Sequence, residues 1–150
     1  MFNYNLFNTH ISSNVDKIMA IKDFTIRYDE SRDIVIRKII NAHVDLNDTT
    51  YFGDTTALMN ELLTKHKCHR IFADFSLTGI QMNYEIEFFY AKNFKRIFDY
   101  PEGTFIAIYE GKFYDEKNWA LIKHIFEENN VNHIEVFGDY SEAMAWLQSK

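Results

Sequence analysis

The sequence lacks the features that mark secreted, membrane-spanning and disulfide-stapled proteins. It contains a single Cys, so no disulfide can form within the chain and nothing indicates an oxidising compartment. No stretch approaches the roughly 18 uninterrupted apolar residues of a membrane span. The first residues, MFNYNLFNTHISSN, lack the basic start and the apolar run of a signal peptide. We therefore predict a cytoplasmic protein.

Clustered basic residues and glycine-rich loops are also missing. The 16 Lys and Arg residues are scattered and the formal net charge is -6, which argues against nonspecific binding to nucleic acid or to anionic lipid. The five Gly residues are isolated, and neither GxGxxG nor GxxxxGK[ST] occurs. These absences disfavour nucleotide-dependent catalysis, and no cofactor is predicted.

Aromatic side chains, by contrast, are abundant. They make up 17% of the 150 residues, with 14 Phe and 9 Tyr, while the hydrophobic and charged fractions of 47% and 25% are ordinary. A chain of this length fits one domain that can bury most of its apolar surface. The aromatic excess must lie in such a core.

The hydrophobic periodicity predicts an α/β domain with the element order ββαβαβαβα. Two alternating strands joined by the polar turn DESRD predict an opening antiparallel hairpin, and helical crossovers then imply parallel strands. Residues 1–22 are interpreted as an N-terminal extension, with flexibility left open, and residues 23–150 as the domain. Strands are predicted at 23–29, 34–44, 70–75, 104–109 and 133–137. Helices are predicted at 54–68, with Asp54 as the first N-cap, at 83–97, and from near Asp115 to the pair Asn129-Asn130. The capping-box spacing of Asp139-Tyr140-Ser141-Glu142 predicts the start of a short last helix that carries Ala143, Trp146 and Leu147.

This order resembles the SpoIIAA-like fold of STAS domains and of the bacterial STAS/SEC14-type proteins. The chain also ends in DYSEAMAWLQSK, which is similar to the acidic cap and Ala-x-x-Trp-Leu helix that often close such proteins. The resemblance covers residues 23–150. It implies a fold used for docking to proteins or for holding a small apolar ligand.

One family motif is incomplete in this chain. The anti-sigma antagonists of the family have an Asp-apolar-Ser strand end followed by a helix start whose Ser is phosphorylated. Here the strand end is Asp74-Phe75-Ser76, but the helix start carries Asn83 and Tyr84, which offer no Ser or Thr hydroxyl. Phosphorylation is therefore not carried over from the resemblance.

The best candidate site follows the predicted strand 70–75. The carboxyl ends of parallel strands are where ligand sites of open α/β sheets lie. A structural role in the loop, with the carboxylate accepting hydrogen bonds from loop amides and the hydroxyls forming turns, is favoured over a catalytic one. The residues proposed for binding a partner or ligand are Asp74, Ser76, Thr78, Asn83 and Tyr84.

The segment His66-Lys67-Cys68-His69 is the one cluster of metal-ligand residue types. A zinc-like ion needs three or four converging ligands, and no second cluster occurs at ligand spacing. Cationic and polar residues are also favoured at a helix C-terminus. No metal site is predicted, and Cys68 has no His and orienting group fixed beside it that would indicate a nucleophile.

Three functions follow from these observations. Strands 70–75 and 104–109 carry apolar residues on both sides, so a helix-free face would be covered by the N-terminal segment, by a second subunit or by an apolar ligand, and we favour a homodimer. Helices on both faces are the alternative. The preferred function is a non-catalytic docking or regulatory module. A carrier of a lipid-like or other apolar ligand is the alternative, and a hydrolase centred on Asp74 ranks last.

Overall fold

Within the residues that the structure describes, seven strands form one mixed sheet, and their order in the sheet is their order in the chain. The computed structural model describes residues 5–7, 18–21, 23–43, 49–80, 92, 99–128 and 133–150. The strands are β1 (Asn5–Phe7), β2 (Ile18–Ile21), β3 (Phe24–Asp29), β4 (Ile34–Ile39), β5 (Arg70–Asp74), β6 (Phe105–Tyr109) and β7 (Ile134–Phe137). The helices are α1 (Thr49–His66), α2 (Glu116–Glu128) and α3 (Tyr140–Gln148).

The sheet changes from antiparallel to parallel at β4. Strands β1 to β4 pair antiparallel, and β4, β5, β6 and β7 pair parallel. This confirms the predicted α/β class, with a hairpin (β3 and β4) followed by parallel strands. The two strands β1 and β2 were not predicted; Met19, Ala20 and Ile21 of β2 are buried in the sheet, although they lie in the segment interpreted as an extension.

The consecutive strand order explains where the crossover helices lie. Crossovers between parallel strands are almost always right-handed, so a sheet built by steps in one direction receives its crossover helices on one face. Buried side chains of α1 and α2, among them Leu58, Leu63 and Ile125, accordingly share one core cluster with Val35, on β4. We call this side of the sheet the first face.

The last helix covers part of the opposite side, the second face. Ala143, Met144 and Leu147 of α3 form a separate core cluster with Phe72 of β5 and Ala107 of β6. Because α3 follows the last strand and makes no crossover, it can fold back onto this face. The idea of a helix-free face, which motivated the homodimer and the carrier, is therefore wrong for the region over β5, β6 and β7; the alternative of helices on both faces is what the structure has.

The rest of the second face carries polar groups on β3. Thr25 lies between Ala20 and Lys38 in the register of β2, β3 and β4. The Asp29 carboxylate lies 3.9 Å from Arg27 and 3.5 Å from Arg32. Thr25, Arg27 and Asp29 thus give this part of the second face a polar character.

Most observed strand and helix ends lie within a few residues of the ends that local sequence signals predict. Asp139 caps α3 as predicted, since its Oδ1 accepts a hydrogen bond of 2.9 Å from the Glu142 backbone N–H. The predicted cap at Asp54 is wrong, because α1 begins at Thr49 and Asp54 lies inside it. The predicted helix 83–97 lies outside the described residues except for Lys92, which has helical backbone and an exposed side chain.

Within the described residues, no helix combines the length and the apolar character required to cross a bilayer.

Candidate functional site

Three of the five predicted site residues come together at the carboxyl end of β5. Asp74 is its last residue, and Ser76 and Thr78 lie in the turn that follows. Asn83 and Tyr84 lie outside the described residues. The register pairs Asp74 with Tyr109, the last residue of β6, so this turn adjoins the segment that leaves β6.

The Asp74 carboxylate is engaged within its own turn. Its Oδ1 accepts hydrogen bonds from the Ser76 backbone N–H at 2.9 Å and from the Ser76 hydroxyl at 2.6 Å. The Thr78 hydroxyl donates to the Gly79 carbonyl at 3.0 Å. These contacts are those of the structural alternative, in which Asp74 orders the loop and the hydroxyls form turns.

The turn after β5 is tightly wound and packed against the segment after β6. The Phe75 carbonyl accepts from the Thr78 N–H at 3.2 Å and from the Gly79 N–H at 2.6 Å. Gly79 has φ +65°, and a Cβ on it would lie 2.4 Å from Cβ of Phe113. Phe113 ends the short 3-10 helix Gly111–Phe113, so glycine permits both the backbone conformation and the close approach.

The buried side chain of Arg37, on the first face, packs against the turn that follows β5. Arg37 of β4 is 5% exposed, and its guanidinium carbon lies 5.4 Å from the centroid of the Phe75 ring and 5.5 Å from that of Phe24. Its Nη1 donates to the Thr55 hydroxyl at 3.4 Å. Through its contact with the Phe75 ring, Arg37 packs the turn after β5 against the core.

Arg37 also acts on Tyr100. Burial raises the pKa of the Tyr100 hydroxyl, while the charge of Arg37 and a hydrogen bond with Thr56 oppose that rise.

Glu110, the residue after β6, links the segment after β5 to the segment after β6 by a hydrogen bond. Its side chain is fully buried, its Oε2 accepts a 2.8 Å hydrogen bond from the Ile80 N–H, and its Oε1 has no hydrogen-bond partner within the described part of the chain. Burial raises the pKa of this carboxyl, the Ile80 N–H opposes the rise, and Asp115 adds to it. The sequence analysis missed Glu110; the available signal was an acidic residue directly after the apolar strand FIAIY.

Tyr114 lies at the end of the segment that follows β6, and its side chain packs close to the residue after β7. A Cβ on Gly138 would lie 2.9 Å from Cβ of Tyr114, so the absence of a side chain at 138 allows this contact. Burial raises the pKa of the Tyr114 hydroxyl, and the next contributions, all in the same direction, come from carboxylates. In decreasing order these belong to Glu116, Glu110, Glu135 and Glu142.

Exposed apolar side chains follow three neighbouring parallel strands. Ile40 directly follows β4 and is 49% exposed, Leu77 follows β5 and is 43% exposed, and Tyr114 follows β6 and is 39% exposed. These residues lie one, three and five positions beyond the last residue of their strands, and the segments after β5 and β6 meet where a Cβ on Gly111 would lie 3.2 Å from Cβ of Ser76. We call Ile40, Leu77 and Tyr114 the carboxyl-edge surface.

Two further large apolar side chains are exposed among the described residues, and both lie elsewhere. Leu121 is on α2 and is 41% exposed. Tyr140, also 41% exposed, begins α3; its ring packs edge-on against Phe72, and its hydroxyl accepts a 3.0 Å hydrogen bond from Arg32. Tyr140 is thus tied to the second face. Sequence reasoning missed the carboxyl-edge surface, although each member lies within five residues of a predicted strand end.

The residues of the His66-Lys67-Cys68-His69 segment have separate surroundings. The His66 ring stacks on Tyr28 with centroids 3.8 Å apart. The buried Cys68 thiol donates to the Asp33 carbonyl at 3.3 Å, and burial raises its pKa. His69 lies edge-on to Phe105. The described residues contain no group of three His, Cys, Asp or Glu placed to hold a metal ion.

The chain is thus an α/β protein with a mixed sheet, in which hydrogen bonds order the turn that follows β5. No protein-family model, no curated protein and no solved structure matches it.

Proposed function

We propose that this protein is a non-catalytic, STAS-like docking module that binds a protein partner through the carboxyl-edge surface. The observation that carries the proposal is the row of Ile40, Leu77 and Tyr114, exposed on neighbouring strand ends. Exposed apolar side chains that follow the ends of neighbouring strands are candidates for an interaction site, since a contiguous exposed apolar patch marks such a site. The likeness to STAS domains rests on the element order predicted from the sequence for residues 23–150, and β1 and β2 lie outside that span.

The hydrogen bonds that order the turn carrying Leu77 also support the proposed docking function. Leu77 lies at the top of a turn closed by the Phe75 carbonyl, and Glu110 and Phe113 hold that turn against the segment after β6. A surface that is already ordered loses little conformational entropy when a partner binds. Preorganisation of this kind favours docking.

A hydrolase centred on Asp74 has little support. A general acid or base must reach a proton of its substrate, whereas the Asp74 Oδ1 already accepts two hydrogen bonds from Ser76. We propose that Asp74, Ser76 and Thr78 shape the docking loop and that the neighbouring Leu77 contacts the partner.

The carrier alternative is weakened by the position of α3. Its argument was an uncovered apolar face, and Ala143, Met144 and Leu147 cover that face over β5 and β6. The docking proposal therefore stands alone.

A peptide-display experiment tests the docking proposal. A library of random peptides is selected against the whole protein, and enriched peptides are measured individually against the wild type, Leu77→Ser, Tyr114→Ser and the control Leu121→Ser. Leu121 and Leu77 are exposed to nearly the same degree, 41% and 43%, so the control matches the loss of apolar area. We expect binding to fall about tenfold or more in the two edge variants, the size of a typical hot-spot loss, and to be unchanged in Leu121→Ser.

Circular dichroism melts establish that each variant is folded before binding is compared. Because all three side chains are exposed, we expect melting temperatures close to that of the wild type. Peptides that bind the edge variants and the wild type equally well would place docking elsewhere and contradict the proposal, as would a selection in which no peptide is enriched.

A further inference from the structure

Strand β7 forms one edge of the sheet within the described residues. On its inner side, the His133 and Phe137 carbonyls accept hydrogen bonds of 2.8 Å and 2.9 Å from backbone N–H groups in and directly after β6. Because successive residues of a strand direct their backbone hydrogen-bonding groups to opposite sides, those of Ile134 and Val136 point away from β6. No described residue pairs with this outer side of β7.

The outer side of β7 lacks most of the devices that keep edge strands from pairing. Such devices include Pro, Lys side chains, bulges and covering elements. The strand reads Ile134-Glu135-Val136-Phe137, contains neither Pro nor Lys, and keeps an unbroken register with β6. Glu135 is its one charged residue. Since backbone N–H and C=O groups are strong hydrogen-bonding groups, the outer side of β7 can accept another strand.

We propose that β7 pairs antiparallel with β7 of a second copy of the chain, so that one sheet runs through a two-fold symmetric dimer. A two-fold axis perpendicular to the sheet brings the outward N–H and C=O groups of the two copies opposite each other, which makes the edge complementary to itself. Pairing of β7 with the other edge, β1, would be head-to-tail and, unless it closed into a ring, would extend into filaments. The interface between two β7 strands does not rest on the proposed docking function.

The carboxylate of Glu135 selects the register of this pair. An axis at Glu135 would place the two Glu135 side chains opposite each other, and an axis at Phe137 would place Glu135 opposite the partner's Asp139. Like charges directly opposite one another destabilise a strand pair. An axis at Ile134 would carry Val136 past the end of the described partner strand, where it would find fewer backbone partners. The axis therefore lies at Val136, which places Glu135 opposite the partner's Phe137.

The same register joins each face of the sheet to the matching face of the second copy. Residues directly opposite in an antiparallel pair lie on the same face. Ile134 and Val136 belong to the buried cluster of the first face, so in the dimer they meet first-face residues. Phe137 packs against the cluster of the second face, where it meets Glu135 across the interface. Both layers of the core thus continue across the junction.

Amide hydrogen exchange tests the proposal, because the inner and outer amides of β7 are matched controls for each other. Exchange in the whole protein is followed residue by residue by NMR at about 0.01 mM and about 1 mM, which bracket a weak dissociation constant. The Glu135 and Phe137 N–H groups face β6, so we expect them to be protected at both concentrations. The Val136 N–H should exchange roughly three- to tenfold more slowly at the higher concentration, because the fraction of monomer falls.

Sedimentation equilibrium at the same two concentrations decides what each exchange result means. Protection of the Val136 N–H that grows as monomer converts to dimer, or that is complete in a species already dimeric, supports the interface. Protection in a species that stays monomeric would show that the chain covers its own edge. A Val136 N–H that stays unprotected at both concentrations would leave the edge to a strand of another protein. Either of the last two results overturns the proposal.

Cysteine crosslinking tests the register. With the axis at Val136, positions 135 and 137 of the two copies form a non-hydrogen-bonded pair with Cα atoms about 4.5 Å apart, a distance that a disulfide spans. An oxidised mixture of Glu135→Cys and Phe137→Cys should give at least about tenfold more covalent dimer than either variant alone. The wild type, whose Cys68 is buried, is the control and should give none. A mixture that gives no more covalent dimer than the separate variants would contradict the axis at Val136.

Discussion

Gly79 connects backbone conformation to packing at a single position. Its φ of +65° is unfavourable for any residue with a Cβ, and that Cβ would lie 2.4 Å from Cβ of Phe113. We expect Gly79→Ala to lower the free energy of unfolding by about 2–4 kcal/mol, from backbone strain and overpacking together. Urea unfolding measures this loss.

Gly103 is the matched control for that substitution. It also has a positive φ, +83°, but nothing lies within 4 Å of a Cβ added there. Gly103→Ala should therefore cost only the backbone part, about 1 kcal/mol. Equal losses in the two variants would show that the contact with Phe113 adds nothing.

Glu110 makes stability depend on pH in a defined direction. Its pKa is raised in the folded protein, chiefly by burial, so the folded state holds the proton more tightly than the unfolded chain does. The stability associated with the neutral carboxyl is fully present below the unfolded pKa of about 4.3 and is lost as the pH rises through the raised folded pKa. Glutamine resembles the neutral acid in shape but does not titrate.

Glu110→Gln is therefore expected to gain stability relative to the wild type as the pH rises from about 4. The gain corresponds to about 1.4 kcal/mol for each unit by which the folded pKa is raised, and it levels off above that pKa. Urea unfolding at a series of pH values measures it, with the exposed Glu102 changed to Gln as the control. A difference between wild type and Glu110→Gln that stays constant across this range would contradict the assignment.

At the scale of elements, α3 depends on one side chain for its start. The Asp139 carboxylate accepts the Glu142 N–H at 2.9 Å, and the helix then buries Ala143, Met144 and Leu147 against the sheet. We expect Asp139→Ala to cost about 1 kcal/mol of the free energy of unfolding, whereas Asp139→Asn, an equally good cap, should cost little. Chemical denaturation measures both; similar losses would mean that the cap contributes nothing.

The helices also show how far local patterns extend. The N-cap of α3 was predicted because a capping-box spacing stood directly before an apolar stripe. The same reasoning failed at α1, where Asp54 has the right residue type but lies five residues inside the helix that begins at Thr49. An isolated acidic residue is compatible with either position, because its effect on the helix is small compared with that of tertiary packing.

The whole molecule is organised by the consecutive order of its parallel strands. Successive steps in one direction place α1 and α2 on the first face and leave α3, which makes no crossover, to cover the second. The same order aligns the ends of β4, β5 and β6 along one edge. The proposed docking surface is thus a product of topology, since its members are separated by more than thirty residues in the chain.

The amino-acid sequence by itself determined the α/β class, the β3–β4 hairpin, the parallel strands that follow and the cap of α3. These features depend on alternation, turn composition and spacing over a few residues, which can be read along the chain. Strands β1 and β2 were not predicted, because the segment that contains them is polar and only weakly periodic.

Only the tertiary structure decided the features on which the proposed function depends. It shows Asp74 hydrogen-bonded to Ser76 and Glu110 buried and hydrogen-bonded to Ile80, and it leaves Ile40, Leu77 and Tyr114 exposed. Burial and proximity arise between residues far apart in the sequence, and no local pattern records which of them meet. For that reason α3 could be predicted as a helix while the face it covers could not.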